Sequence, residues 1–162
     1  IRFTRIEFLS ADRAGPSAVS CGDTFVVRLH FAAKRDVVQP IFGVDIQTSL
    51  GIMVAQLHTY NSGFDIPILR AGPGHIDVRI EDLNLVPGRY VLSLYAANYG
   101  HIYHDVLPNC TAIEVQISNR YGLMRGLTQN PIAMFACSWD MGSVRSRTLA
   151  AHPSPALSRV LA

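Results

Sequence analysis

Thr24-Phe25-Val26-Val27-Arg28-Leu29-His30-Phe31 is the stretch that decides the fold. Phe25, Val27, Leu29 and Phe31 fall on one side of an extended chain, while Arg28 and His30 fall on the other. That period of two gives a strand one apolar face, and it is useless to a helix. The same alternation returns along the chain. Phe42, Val44 and Ile46 oppose Asp45 and Gln47; Ile76, Val78 and Ile80 oppose His75, Asp77, Arg79 and Glu81. Tyr90, Leu92 and Leu94 oppose Ser93 and Tyr95, and Ile113, Val115 and Ile117 oppose Glu114 and Gln116. Weaker strand candidates are Arg2–Phe8, Ile52–His58 and Ile132–Ala136.

Turn signals separate these runs: Gly15-Pro16, Cys21-Gly22-Asp23, Ser49-Leu50-Gly51, Asn61-Ser62-Gly63, Gly72-Pro73-Gly74 and Pro87-Gly88. Glycine reaches positive φ and proline presets φ, so each marks a reversal of the chain. No window carries a helical stripe. Seven or eight short strands with one apolar face each require a second sheet to cover that face. The expected fold is therefore all-β, an immunoglobulin-like antiparallel β-sandwich. The sandwich is expected over residues 1–140. Residues 141–162, rich in Ser, Arg, Ala and Pro without periodicity, are expected to form a disordered tail.

Composition agrees with a folded domain. The chain has 162 residues, 49% hydrophobic and 16% charged, which suits one domain with a sizeable core. No apolar run approaches the ~18 residues of a membrane-spanning helix. No signal peptide is visible, and Ile1 opening directly into strand-like sequence suggests a domain cut from a longer protein. The net charge is +2, but Arg145, Arg147 and Arg159 stand in the tail, leaving 11 bases against 12 acids in residues 1–140. A nucleic-acid binder concentrates positive charge on its folded part, so nucleic acid is not an expected partner. Cys21, Cys110 and Cys137 form an odd set without a CxxC pair and read as reduced cytosolic thiols.

The familiar catalytic patterns are missing. Lys34 is the chain's single lysine and follows Ala33, so a phosphate-binding Gly-Lys loop is excluded. Neither a G-x-S-x-G elbow nor an H-E-x-x-H helix occurs. His101-Ile102-Tyr103-His104-Asp105 offers two imidazoles and a carboxylate, but without further ligands it reads as a polar loop between strands, and no metal or cofactor is expected. Asp45, Asp77 and Glu114 lack the pairing that glycoside hydrolysis needs, so an enzyme is not expected.

The two outward faces differ. Strands at 2–8, 24–31 and 75–81, taken as one sheet, expose Arg5, Glu7, Arg28, His30, Asp77, Arg79 and Glu81, a mixture of opposite charges suited to a solvated surface. Strands at 41–48, 52–58, 89–97 and 110–117 expose Asp45, Gln47, Gln56, His58, Ser93, Tyr95, Glu114 and Gln116. Carboxylates and amides can hydrogen-bond vicinal hydroxyls, and a tyrosine ring offers a flat surface to sugar C–H groups. Tyr99, His101 and Tyr103 on the adjoining loop extend that character. The pattern points to a glycan.

Several motifs, in order, resemble a known family. Val38-Gln39-Pro40-Ile41-Phe42-Gly43-Val44 is similar to its P-x-F-G-V strand, and His58-Thr59-Tyr60-Asn61-Ser62-Gly63 leading to Ile66-Pro67 to its N-T-x-x-x-G…I-P segment. Leu85-Val86-Pro87-Gly88-Arg89-Tyr90-Val91-Leu92-Ser93 matches L-x-P-G-x-Y-x-L-S. Gly100 to Asp105, then Ala112-Ile113-Glu114-Val115, resembles G-x-x-x-x-D…A-x-x-F-x-V. Asn130-Pro131 to Trp139 is similar to a final strand ending in Trp. His58 stands where the family has Asn, and Ile113 where it has Phe. Over about residues 2–139 the chain resembles the C-terminal domain of the ATP-binding proteins of O-antigen polysaccharide ABC transporters, the Wzt type.

The resemblance implies a cytoplasmic carbohydrate-recognition domain at the inner face of the inner membrane. It would bind the lipid-linked O-polysaccharide glycan, typically at its non-reducing end, for export. Its partners would be an ATPase domain, placed N-terminal and absent from this chain, and a transmembrane subunit. A homodimer is expected, with the apolar run Ile132–Ala136 available to a second subunit. A sandwich serving for dimerisation or protein docking, without glycan binding, is the alternative.

Overall fold

A computed structural model of the chain describes residues 1–10, 18–100, 102–118 and 132–133. Its strands, in chain order, are β1 (Arg2–Ser10), β2 (Ala18–Ser20), β3 (Phe25–Ala33), β4 (Val37–Val38) and β5 (Pro40–Thr48). There follow β6 (Met53–His58), β7 (Ile68–Leu69), β8 (Gly72–Ile80), β9 (Gly88–Asn98) and β10 (Ile102–Gln116). No helix occurs among the described residues, and so none is long and apolar enough to cross a membrane.

The strands form the two sheets of the expected all-β sandwich. One has the order β1-β3-β8, the other β2-β10-β9-β5-β6, and β4 with β7 makes a short separate ribbon. All pairs are antiparallel except β2 with β10. The apolar half of each alternation meets its counterpart between the sheets. Val27 and Leu29 of β3, Val44 of β5, Leu92 and Leu94 of β9 and Ile113 of β10 are completely buried. Each such side chain contributes about 1.5–3 kcal/mol by leaving water. Phe42 joins the layers, its ring 6.2 Å from Phe3 and 5.1 Å from Phe31. Gly74 leaves room for Phe31, whose Cζ lies 2.8 Å from where a Cβ would stand. Tyr90 is buried too, and its hydroxyl donates to Val86 O at 3.0 Å, so the polar tip is satisfied.

Two expectations need correction. Residues 102–105 are not a loop: β10 begins at Ile102 and pairs with β9. The alternation is hidden because the register shifts between Tyr103 and Asp105 and again between Leu107 and Thr111. Each shift inserts residues that oppose nothing on the partner strand and changes which face the next side chain takes. Asp105 is thereby brought to accept from Phe3 N at 2.8 Å, tying β1 to the other sheet. Ile117, expected in the core, is 63% exposed, since β10 ends at Gln116 where Cys21 N donates to Gln116 O. Of the expected last strand, Ile132 and Ala133 are described: Ala133 bridges Leu85, and Ile132 O accepts from Val86 N at 3.2 Å. Residues 134–139 with Trp139, and the tail expected over 141–162, lie outside the described residues.

Candidate functional site

The three-stranded sheet closes its outer face on itself. Arg28 makes a fork-like pair with Asp77, both bonds at 2.8 Å, and His30 Nε2 lies 2.8 Å from Glu7 Oε2. Arg5 pairs with Glu7, and Arg79 with Glu81. The Arg28 guanidinium holds the Asp77 carboxyl below its usual range. These charges are already partnered, as on an ordinary solvated face.

The five-stranded sheet is different. Register places Asp45 of β5 between Gln56 of β6 and Ser93 of β9, and Gly43 between His58 and Tyr95. The Tyr95 ring lies over the β5 backbone in the space that a side chain at position 43 would occupy. An ideal Cβ on Gly43 would stand 2.2 Å from Tyr95 Cε1 and Cζ. From there Tyr95 meets His58 at 6.2 Å and Tyr103 at 6.1 Å between ring centroids, the latter edge-on at 78°. Tyr60, in the turn after β6, faces Tyr99 at 5.5 Å. Together they wall a hollow of about 580 Å³.

Asp45 is the charged group on its floor. Its Oδ1 is buried and has no hydrogen-bond partner among the described residues. Burial raises the carboxyl above its usual range, opposed in part by a hydrogen bond from Gln56 and the nearby His58. Burial also raises the Tyr95 phenol, with Asp45 and Tyr103 acting in the same direction. Asn61 Nδ2 lies 2.8 Å from His58 Nε2, so the amide donates and the ring proton sits on Nδ1. The site thus offers an acceptor carboxylate, an amide that both donates and accepts, an imidazole N–H and several phenol faces.

Of the residues expected in a binding face, Asp45, Gln56, His58, Tyr95 and Tyr99 come together here. Ser93 lies beside Asp45, its hydroxyl accepting from Asn109 N at 2.9 Å. Gln47 lines a neighbouring hollow instead. Glu114 stands at the other end of β9 with Arg89 at 3.9 Å, and Gln116 pairs with Ser20 of β2. His101 lies outside the described residues. Tyr60 and Asn98 line the hollow without having been expected there, and Gly43 supports its floor. A glycine interrupting an alternating strand is the one signal that could have exposed the last, since it marks close approach of another group. Among the described residues no group of His, Cys, Asp or Glu side chains is arranged to hold a metal.

Fold and hollow together define a β-sandwich domain carrying a polar, tyrosine-walled recess on one sheet. The chain belongs to the Wzt C-terminal domain family, whose model matches residues 1–128. Among solved structures it is similar to the C-terminal domain of Wzt, with a TM-score of 0.62 and 15% identity over 72% of this chain and 74% of that one. At that identity the likeness speaks for the fold. A β-glucosidase from Listeria innocua in complex with glucose gives a TM-score of 0.36 at 14% identity, over 68% of this chain and 16% of that one. That score is too low to bear on function. No curated protein matches the sequence.

Proposed function

We propose that this domain binds an O-antigen polysaccharide without chemically altering it, as the substrate-recognition part of an ABC transporter. The observation that carries the reading is the hollow that gathers Asp45, Gln56 and His58 among the rings of Tyr60, Tyr95, Tyr99 and Tyr103. The carboxyl, amide and imidazole gathered there can hydrogen-bond sugar hydroxyls. The phenol rings beside them match the C–H faces of a pyranose. Membership of the Wzt C-terminal domain family supports the transporter setting. In that setting the domain works at the cytoplasmic side of the inner membrane, beside a transmembrane subunit, with ATP hydrolysed by a separate domain. Residues 1–140 serve as the binding unit and 141–162 as a tail. The site comprises Asp45, Gln56, His58, Tyr95 and Tyr99, with Ser93, Gln47, His101 and Gln116 reached by a longer chain. We also propose a homodimer, to which the apolar run beginning at Ile132 contributes.

Calorimetric titration with delipidated O-polysaccharide from the organism that carries this chain tests the reading. Saturable binding is expected, and Tyr95→Ala should weaken it about ten- to hundredfold through lost ring contact. Arg79→Ala on the opposite sheet should leave it unchanged. A folded, dimeric domain that ignores every glycan tested would instead favour the docking alternative.

A further inference from the structure

Beside the tyrosine-walled hollow, on the same face of the five-stranded sheet, lies a second recess of about 500 Å³. Its walls include Gln47 near the end of β5, Ser49 in the β5–β6 turn, Arg89 on β9, and Asn109 and Thr111 on β10. The second register shift of β10, between Leu107 and Thr111, shapes it. Within that bulge Asn109 takes a left-handed conformation, φ 50°, which asparagine tolerates better than most residues. Bulges of this kind redirect side chains.

The chemistry of the recess is opposite to that of its neighbour. Asp45 gives the first hollow an acceptor, whereas this one is lined by side chains that can donate and by a guanidinium. The Arg89 side chain is 65% exposed, and among the described residues the carboxylate paired with it, Glu114, lies 3.9 Å away, too far for a hydrogen bond. Its fork of N–H donors is therefore open to a planar or tetrahedral anion. Alternate residues of β9 connect the two places, Tyr95 to Ser93 to Val91 to Arg89, a span of roughly 20 Å at about 3.3 Å per residue. A single sugar cannot bridge that distance, but several linked ones can.

We infer that the Arg89 recess is a second subsite, taking an anionic sugar of the same polysaccharide several units from the one held at Tyr95. The inference rests on the glycan-binding reading of the first hollow. The anion is a carboxylate, as in a uronic acid, or a sugar phosphate. Glu114 competes for Arg89 and so tempers the affinity.

NMR titration of the whole domain in the millimolar range tests this, with D-glucuronate, glucose 1-phosphate, inorganic phosphate and methyl glucoside as probes. Saturable shifts are expected at Arg89 Nε–H and at the Asn109 and Thr111 amides with glucuronate or the sugar phosphate, the stronger of the two naming the anion. Arg89→Gln should weaken that binding at least about fivefold, and Glu114→Gln should strengthen it, because both side chains are exposed and neither supports the core. Circular dichroism confirms that each variant is folded. Equal shifts with methyl glucoside, equal shifts with inorganic phosphate alone, no shifts at Arg89, or indifference to both substitutions would overturn the subsite. Signals from Gln56, His58 and Tyr95 report the first hollow separately. Their silence towards delipidated polysaccharide, with Arg89 responding to sugar anions, would sink the glycan reading of the first hollow and with it the two-subsite arrangement.

Discussion

The contact between Gly43 and Tyr95 makes the sharpest demand on this structure. Replacing Gly43 with Ala places a methyl group 2.2 Å from Tyr95 Cε1 and Cζ and 2.6 Å from its hydroxyl oxygen. Carbon atoms rest at about 3.5–4.0 Å, so the ring must rise by more than an ångström or leave its rotamer. Overpacking of this kind costs about 1–3 kcal/mol. Displacing the ring also disturbs its contacts with His58 and Tyr103 in the wall of the hollow. Gly43→Ala is therefore expected to lower stability by about 1–3 kcal/mol and polysaccharide affinity about tenfold.

The test is a double-mutant cycle with Tyr95→Ala, followed by urea unfolding at a fixed protein concentration. With the ring removed, the methyl group has nothing to strike. Gly43→Ala should then be neutral or stabilising by up to about 1 kcal/mol, because alanine loses less backbone entropy than glycine in a strand. An equal penalty in both backgrounds would show that position 43 is constrained by something other than Tyr95. The explanation of the ring's pose would then be wrong.

Further expectations follow from the charged groups. Burial raises the Asp45 carboxyl in the folded state, so its contribution to stability is greatest where it is protonated and is lost as pH rises through the folded pKa. Asp45→Asn should stabilise the free domain at neutral pH, with the gain fading in acid. A gain that grew towards low pH in urea unfolding would contradict the assignment. Asp105→Ala removes the acceptor for Phe3 N and should cost about 1–2 kcal/mol. Faster hydrogen exchange at the Phe3 amide would confirm that β1 had loosened. Asp77→Ala breaks an exposed pair with Arg28 and should change stability by less than about 1 kcal/mol. Calorimetry should find its polysaccharide binding unaltered.

Much of the architecture could be read from the alternation itself. In Phe25-Val26-Val27-Arg28-Leu29 each side chain's face follows from its parity, and burial of Phe25, Val27 and Leu29 shows that reading in three dimensions. The division into strands near 2–8, 24–31 and 75–81 against the remainder also holds. So does the contrast between a charge-paired face and one carrying Asp45, Gln56, His58 and Tyr95. Composition, parity and turn residues suffice for these because they act within one strand or its immediate neighbours.

Parity states which face a residue takes, but not where on that face it lies. Asp45 and Gln47 are next neighbours of one parity, yet they line different hollows. Glu114 and Gln116 share the face but stand at its far end, beside Arg89 and Ser20. Strand register settles those positions, and register depends on turns and bulges, such as the two in β10, that interrupt the periodic signal. Tyr60 reaches the hollow from a turn, and Tyr95 lies flat because Gly43 on another strand has no side chain. Such contacts join residues far apart in sequence. Local pattern is silent about them, and the pairing of β5 with β6 and β9 brings them together.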